Sequence, residues 1–230
     1  MYRGDGGQIW PYHIVENWTF QKDQIRRMIP IEARGEAPKE EDDHMSKKLT
    51  LQKIVFIAIL AALVFVVTFF RFPLLGSKVH FANAICLVSG LLMGPLAGGL
   101  AAGLGSMLYD VFFYPSDLLG YAVTFVTKFA MAWVCGKIAF AANKEARSHG
   151  WNIVACVVGA WTYVALYMIK TYLYQRFIYA VPMDTVWATV LAKFPASAIN
   201  AVAAMVAAPI LYTALRPALD KAHLLEKMRK

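Results

Sequence analysis

Histidine, cysteine and acidic side chains are scarce in this chain, and none of them is grouped as an enzyme would need. The 230 residues include 5 His, 3 Cys and 15 Asp or Glu, and the acids crowd into the first 44 positions. No histidine lies between His149 and His223. Gly105-Ser106, which has the look of a rhomboid-type intramembrane nucleophile, therefore has no base on a later helix. The remaining carboxylates and histidines are too scattered for a phosphotransferase or a metal-dependent hydrolase. Cys86, Cys135 and Cys156 sit singly in apolar runs, without a CxxC or a histidine at ligand spacing, and read as small packing residues. The glycine-rich stretch from Gly94 to Ser106 lacks the Lys-Ser/Thr ending of a phosphate-binding loop. The chain thus has no nucleotide-binding motif with which to power anything alone, and no metal or organic cofactor is expected.

Apolar side chains are what it has in excess. They make up 59% of the residues, with a mean hydropathy of +0.48, well above the range of soluble domains. Six apolar segments can be read: Leu51–Phe70, Val79–Met93, Leu96–Phe113, Leu118–Ala142, Trp151–Gln175 and Thr185–Leu215. The first is about 20 residues long, enough to cross a bilayer. Gly94-Pro95 separates the second from the third, and Pro195 and Pro209 are expected to bend the last. The expected fold is an all-α integral membrane protein, a compact bundle of six transmembrane helices spanning residues 45–230.

Residues 1–44 differ in kind. They have no long apolar run and end in the charged stretch Lys39 to Asp43, which predicts a polar, poorly ordered N-terminal extension. They carry no h-region or cleavage site of a signal peptide, and Met45-Ser-Lys-Lys offers an alternative start. The net charge of +8 comes from residues 45–230. There the basic side chains sit at segment ends, which points to orientation in a bilayer rather than to nucleic acid. One set of ends holds Lys47, Lys48, Lys53, Lys137, Lys144, Arg147, Arg216, Lys221, Lys227, Arg229 and Lys230. The opposite set holds only Arg71, Lys78 and Arg176. The positive-inside rule then places both termini in the cytoplasm, with an even number of spans.

Polar residues inside the apolar runs are the candidate site, because ionisable groups are costly in a membrane. Tyr121, Thr124 and Lys128 lie on one face of the fourth segment. Tyr163, Tyr167, Lys170 and Tyr174 do so on the fifth, and Thr189, Lys193, Ser197 and Asn200 on the sixth. Ser106 and Asp110 are one turn apart on the third. At 1.5 Å per residue, Lys128 is roughly 15 Å from the outer end of its segment, Lys193 roughly 12 Å and Lys170 roughly 8 Å. The stripes therefore converge on an externally open pocket. The competing reading has the lysines snorkelling to the interface and the tyrosines forming an aromatic belt; Lys128 and Lys193 fit it least, being deepest. Gly94/Gly98 and Gly99/Gly103 have the small-xxx-small spacing of close helix contacts, and Ala58 and Ala62 repeat it on the first segment.

Taken in order, several motifs resemble those of one family. They are the Ala58-xxx-Ala62 helix, His80-Phe-Ala-Asn83, Leu91 to Gly98, Gly105-Ser-Met-Leu-Tyr-Asp110, Tyr121 to Lys128, Lys193-Phe-Pro195 and Asn200. The pattern is similar to the S components of energy-coupling factor (ECF) transporters, nearest the riboflavin-type branch, over about residues 48–218. The resemblance implies a substrate-binding subunit that captures a vitamin or precursor from outside a bacterial cell membrane. It also implies a transmembrane coupling subunit, docked on the face that holds Ala58 and Ala62, and two cytoplasmic ATPase subunits. Substrate contacts are implied at Asn83, Asp110, Lys128, Lys193, Ser197 and Asn200. The helical stripes add Tyr121, Thr124, Tyr167 and Lys170. Ser197 stands where riboflavin binders commonly carry Asn, which leaves the vitamin open. The lysine excess points to an anionic or acceptor-rich ligand. A self-sufficient permease or a membrane scaffold is the alternative.

Overall fold

A computed structural model describes residues 2–3, 9–10, 51–74, 77–115 and 117–225. The chain divides into two compact units, residues 1–48 and 49–230. In the first, strands β1 (Tyr2–Arg3) and β2 (Ile9–Trp10) pair antiparallel. The rest of the polar extension expected over residues 1–44 lies outside the described residues.

The second unit contains five helices long and apolar enough to cross a membrane. They are α1 (Leu51–Thr68), α2 (Ala82–Phe113), α3 (Leu118–Ala139), α4 (His149–Leu173) and α5 (Met183–Lys221). A hairpin of β3 (Arg71–Leu74) and β4 (Ser77–His80) precedes α2. A 3₁₀ turn (Ala141–Asn143) follows α3, and a π turn (Tyr174–Ile178) ends α4.

Six apolar segments become five helices because the second and third are two limbs of α2. Gly94 breaks the helical path with φ 79° and ψ −173°, a backbone state that an L side chain resists, and Pro95 has no N–H to continue the ladder. The limbs fold back on each other. The Ser89 hydroxyl donates to the Gly98 carbonyl at 2.9 Å, and Cys86 Sγ lies 4.0 Å from Ser106 Oγ although twenty residues separate them. A Cβ on Gly98 would stand 2.6 Å from the Gly90 Cα and 2.5 Å from the Ser89 carbonyl oxygen. Ser106 is thus a packing residue at the limb contact rather than a pocket residue beside Asp110.

Segment ends also shift. Val79 and His80, read from the sequence as the start of the second segment, belong to β4. The ladder pairs Phe72 with Val79 and Arg71 with His80. The fourth segment stops at Ala139 rather than Ala142, whose φ of 52° turns the chain. The last extends to Lys221, continuing through Pro195, Pro209 and Pro217.

α2 is the centre of the unit, packing on α1, α3 and α5. Its close approaches need glycine. A Cβ on Gly90 would lie 2.4 Å from the Ala132 carbonyl oxygen of α3, and one on Gly105 would lie 2.3 Å from that of Ala61 on α1. Such contacts give membrane helices the dispersion energy that lipid cannot, since hydrophobic burial does not drive association in hydrocarbon. The chain from α3 to α5 then closes around α2, with α3 on α4, α4 on α5 and α5 back on α2.

Gly98→Val is expected to destabilise the detergent-solubilised protein by at least ~1–3 kcal/mol, seen as a lower melting temperature or loss of a monodisperse elution peak. Gly150→Ala, where an added Cβ meets nothing within 4 Å, should leave both readouts unchanged.

Candidate functional site

The first limb of α2 has about twelve residues, roughly 18 Å, too few to cross the hydrocarbon core. Its start lies beside Lys128, ten residues into α3, and β3 and β4 lie next to that start in the chain. β4 packs on α5. The polar residues gather where this short limb begins.

Lys128, 6% exposed, donates from Nζ to Asn83 Oδ1, and Asn83 is fully buried. The same ammonium sits 3.9 Å from the centroid of the Tyr163 ring. An amide oxygen and a π face thus share the solvation of a cation that hydrocarbon alone would not tolerate; a desolvated cation–π contact of this kind contributes about 2 kcal/mol. These three side chains join α2, α3 and α4. Tyr163 stacks on Tyr167 with ring centroids 5.9 Å apart and planes 22° apart.

On the α5 side, Asn200 Oδ1 accepts the His80 backbone N–H at 2.9 Å, tying the last residue of the hairpin to the helix. Ser197, three residues before Asn200, is buried, and its hydroxyl has no partner among the described residues. The same holds for Asn83 Nδ2 and the Tyr174 hydroxyl. Buried polar atoms of this kind are few in native structures and call for a partner. The amide oxygens of Asn83 and Asn200 are already used, so the Asn83 amide offers a donor. No side chain caps the N-terminus of α2, which adds the positive end of a helix dipole at the same level.

Lys170 is half-buried, 5.1 Å from the Tyr174 ring centroid. No direct ion pair joins Asp110 to a lysine among the described residues. Tyr121 turns instead to the chain before α3, its hydroxyl donating to the Tyr114 carbonyl at 2.7 Å. Thr124 is half-buried, and its carbonyl accepts from the Thr127 hydroxyl.

The direct contacts therefore unite Asn83 with Lys128, and Asn200 with the hairpin; Ser197 adjoins the second group. Tyr163 and His80 also take part; Tyr163 stood in the sequence-based stripe but not among the implied substrate contacts, and His80 in neither. Tyr163 was legible as the first member of the α4 stripe. His80 contributes a backbone N–H, for which side-chain chemistry carries no signal. Ala58 and Ala62 are exposed on α1, whose opposite face, with Ala61 and Val64, is buried against α2.

An apolar cavity lies elsewhere. It is a groove of about 760 Å³ lined by apolar residues of α1, α2 and α5, among them Val67, Phe81, Ala84 and Val206. It holds none of the polar residues above. The chemistry of donors and cations, not cavity size, therefore identifies the candidate site.

A family model described as the S component of the ECF-type riboflavin transporter matches residues 48–217. A solved structure of the S component of a bacterial ECF transporter superposes with a TM-score of 0.59 at 21% identity, covering 73% of this chain and 97% of that one. At this identity the likeness speaks for the fold. Among curated proteins none matches significantly.

Replacing Asn200 with Ala is expected to free the His80 amide. Hydrogen exchange at that amide should accelerate by about five- to tenfold, corresponding to the loss of one hydrogen bond of ~1 kcal/mol.

Proposed function

Because the chain belongs to the family of ECF-type riboflavin transporter S components, a multi-pass membrane family rather than an enzyme family, we propose that it is the high-affinity substrate-binding subunit of an ATP-driven importer for a vitamin or vitamin precursor. The observation that carries this reading is the buried group of Lys128, Asn83 and Tyr163, with unpartnered polar atoms on Asn83, Ser197 and Tyr174. A scaffold has no use for a cation and orphan donors inside a membrane bundle, whereas a ligand with acceptor groups satisfies them.

In this reading the two limbs of α2 count as separate spans, which makes six, with both termini in the cytoplasm of a bacterial cell and the β3–β4 hairpin outside. Substrate enters from the hairpin side. Asn83, Lys128, Ser197 and Asn200 form the inner floor, Tyr163 and Tyr167 offer ring faces, and Asp110, Tyr121, Thr124, Lys170 and Lys193 surround the approach. A surplus of donors and cations selects an acceptor-rich or anionic ligand. The substrate class follows from the family and includes riboflavin as the first candidate. Ser197, a shorter side chain than Asn, leaves space and one hydrogen-bonding atom fewer, which favours a related but different compound.

The exposed face of α1 with Ala58 and Ala62 takes the transmembrane coupling subunit, since small side chains admit close backbone approach. Two cytoplasmic ATPases attached to that subunit supply the energy, because this chain has no nucleotide-binding motif.

Mass spectrometry of ligand extracted from the purified chain, followed by titration with a vitamin panel beginning with riboflavin, tests the reading. One compound is expected to co-purify stoichiometrically and rebind at nanomolar Kd, and Lys128→Met should weaken it by tenfold or more. A folded preparation that binds nothing across the panel points to a scaffold instead. Ala58→Leu with Ala62→Leu should abolish uptake in cells while leaving Kd unchanged; unaltered uptake would remove the docking face from α1. Uptake without ATPase partners would mark a self-sufficient permease.

A further inference from the structure

The end of the bundle opposite the hairpin carries a second organised group of cations. α3 ends there, α4 begins, and residues 140–148 connect them. Trp151, in the first turns of α4, donates from Nε1 to the Ile138 carbonyl of α3 at 2.6 Å. Lys144 Nζ lies 3.9 Å from the centroid of that same indole. Lys137, adjacent to Ile138, has its Nζ 5.3 Å from the Trp133 ring centroid. Each ammonium group is thus held on an indole face, and the Trp151 indole is itself fixed by the interhelical hydrogen bond.

The connection that presents them is fixed. The Ala146 carbonyl accepts from the Tyr212 hydroxyl at 3.0 Å and from Asn152 Nδ2 at 2.7 Å. Arg216 of α5 reaches the Arg147 carbonyl at 3.4 Å. Ala142, Glu145 and Ala146 all have φ between 45° and 54°, a state that costs L residues energy and persists only when contacts enforce it. The acids nearby are used by the arginines, Arg147 with Glu145 at 3.2 Å and Arg216 with Asp220 at 3.5 Å. Neither Lys137 nor Lys144 has an ion pair among the described residues. Ser148 does not cap α4 with its side chain, so the positive end of that helix adjoins the two lysines. Beyond them the surface is apolar and open to lipid, with Trp133, Ile153 and Val154 exposed.

We propose that Lys137, Lys144 and Trp151 form a binding site for the phosphate headgroup of an anionic phospholipid, whose acyl chains lie along the exposed apolar face of α3 and α4. Indoles belong at the headgroup level. Lysines held there attract anionic lipid by about 1 kcal/mol each, and a phosphodiester placed between the ammonium groups satisfies both. A free phosphate gains the same charge contact but nothing from the apolar surface. A neutral phosphatidylcholine gains the surface and loses the net charge. If both termini are cytoplasmic, as proposed above, the site faces the inner leaflet; its chemistry does not depend on that orientation or on the substrate.

Native mass spectrometry of the delipidated full chain in detergent, titrated with dioleoyl phosphatidylglycerol and dioleoyl phosphatidylcholine, tests the proposal. The wild-type chain is expected to retain one phosphatidylglycerol in preference to phosphatidylcholine. Lys137→Gln with Lys144→Gln should reduce that preference by about thirtyfold, with an unchanged melting temperature, and Lys137→Arg with Lys144→Arg should keep it. Lys53→Gln with Lys221→Gln removes the same charge from α1 and α5 and should also keep it; an equal loss in this control would reduce the effect to diffuse attraction and overturn the site. Displacement of the lipid by excess inorganic phosphate would make it a free-phosphate site only. Unaltered lipid retention in the glutamine variant, with loss of co-purifying coupling subunit, would make it a protein-docking surface and sink the lipid assignment.

Discussion

At Gly94 and Pro95 the chain turns back on itself inside an apolar stretch, and the remaining helices pack around the result. A reversal leaves backbone groups without intrahelical partners, and this one lies against Gly136 and Phe140 at the end of α3. The cost is met by burial within protein. α3 lies against both limbs, α1 and α5 cover the others, and glycines at 90, 98 and 105 let backbones approach where any Cβ would collide. Phe140, at the end of α3, lies over the turn at Gly94. Without the reversal there is no short limb, and without the short limb no polar helix start deep in the bundle.

That geometry explains how a lysine can be kept inside. A full-length helix in the place of the first limb would carry apolar side chains past Lys128. The shortened one instead ends with Asn83 at its level and exposes an uncapped N-terminus. The hairpin follows the same constraint: its two strands pair with each other, and its last residue is latched to Asn200. Two packing demands meet in these residues: the Asn83 oxygen solvates Lys128 and the Asn200 oxygen holds His80, while Asn83 Nδ2 and the Ser197 hydroxyl have no partner among the described residues.

The two ends of the bundle solve different problems with the same residue type. Near the hairpin, lysines lie within the span, where charge is expensive and implies a ligand or an internal partner. At the other end, Lys137 and Lys144 rest on indole rings at the membrane boundary, where charge is cheap and a lipid phosphate is close at hand. Reading all lysines as snorkelling side chains would miss the first group; reading all as ligand contacts would misplace the second.

Much of this was legible from composition and spacing alone. Apolar runs longer than a bilayer requires allow few structures, so helical spans and their approximate limits follow from hydrophobicity. Helical periodicity also put Lys128, Ser197, Asn200 and Tyr163 on inward faces, since residues three and four apart share one side whatever their surroundings. Other features depended on contacts between distant segments. Whether Gly94-Pro95 joins two spans or reverses one compact element is set by the packing of α3 against it. Val79 and His80 became strand because a partner strand was available to their backbone. Asn83 chose Lys128 and Asn200 chose His80, while Tyr121 turned to Tyr114 and Ser106 to Cys86. Periodicity assigns a face; only the packed bundle assigns the neighbour, because hydrogen bonds are decided over about 3 Å, far less than the width of a helix face.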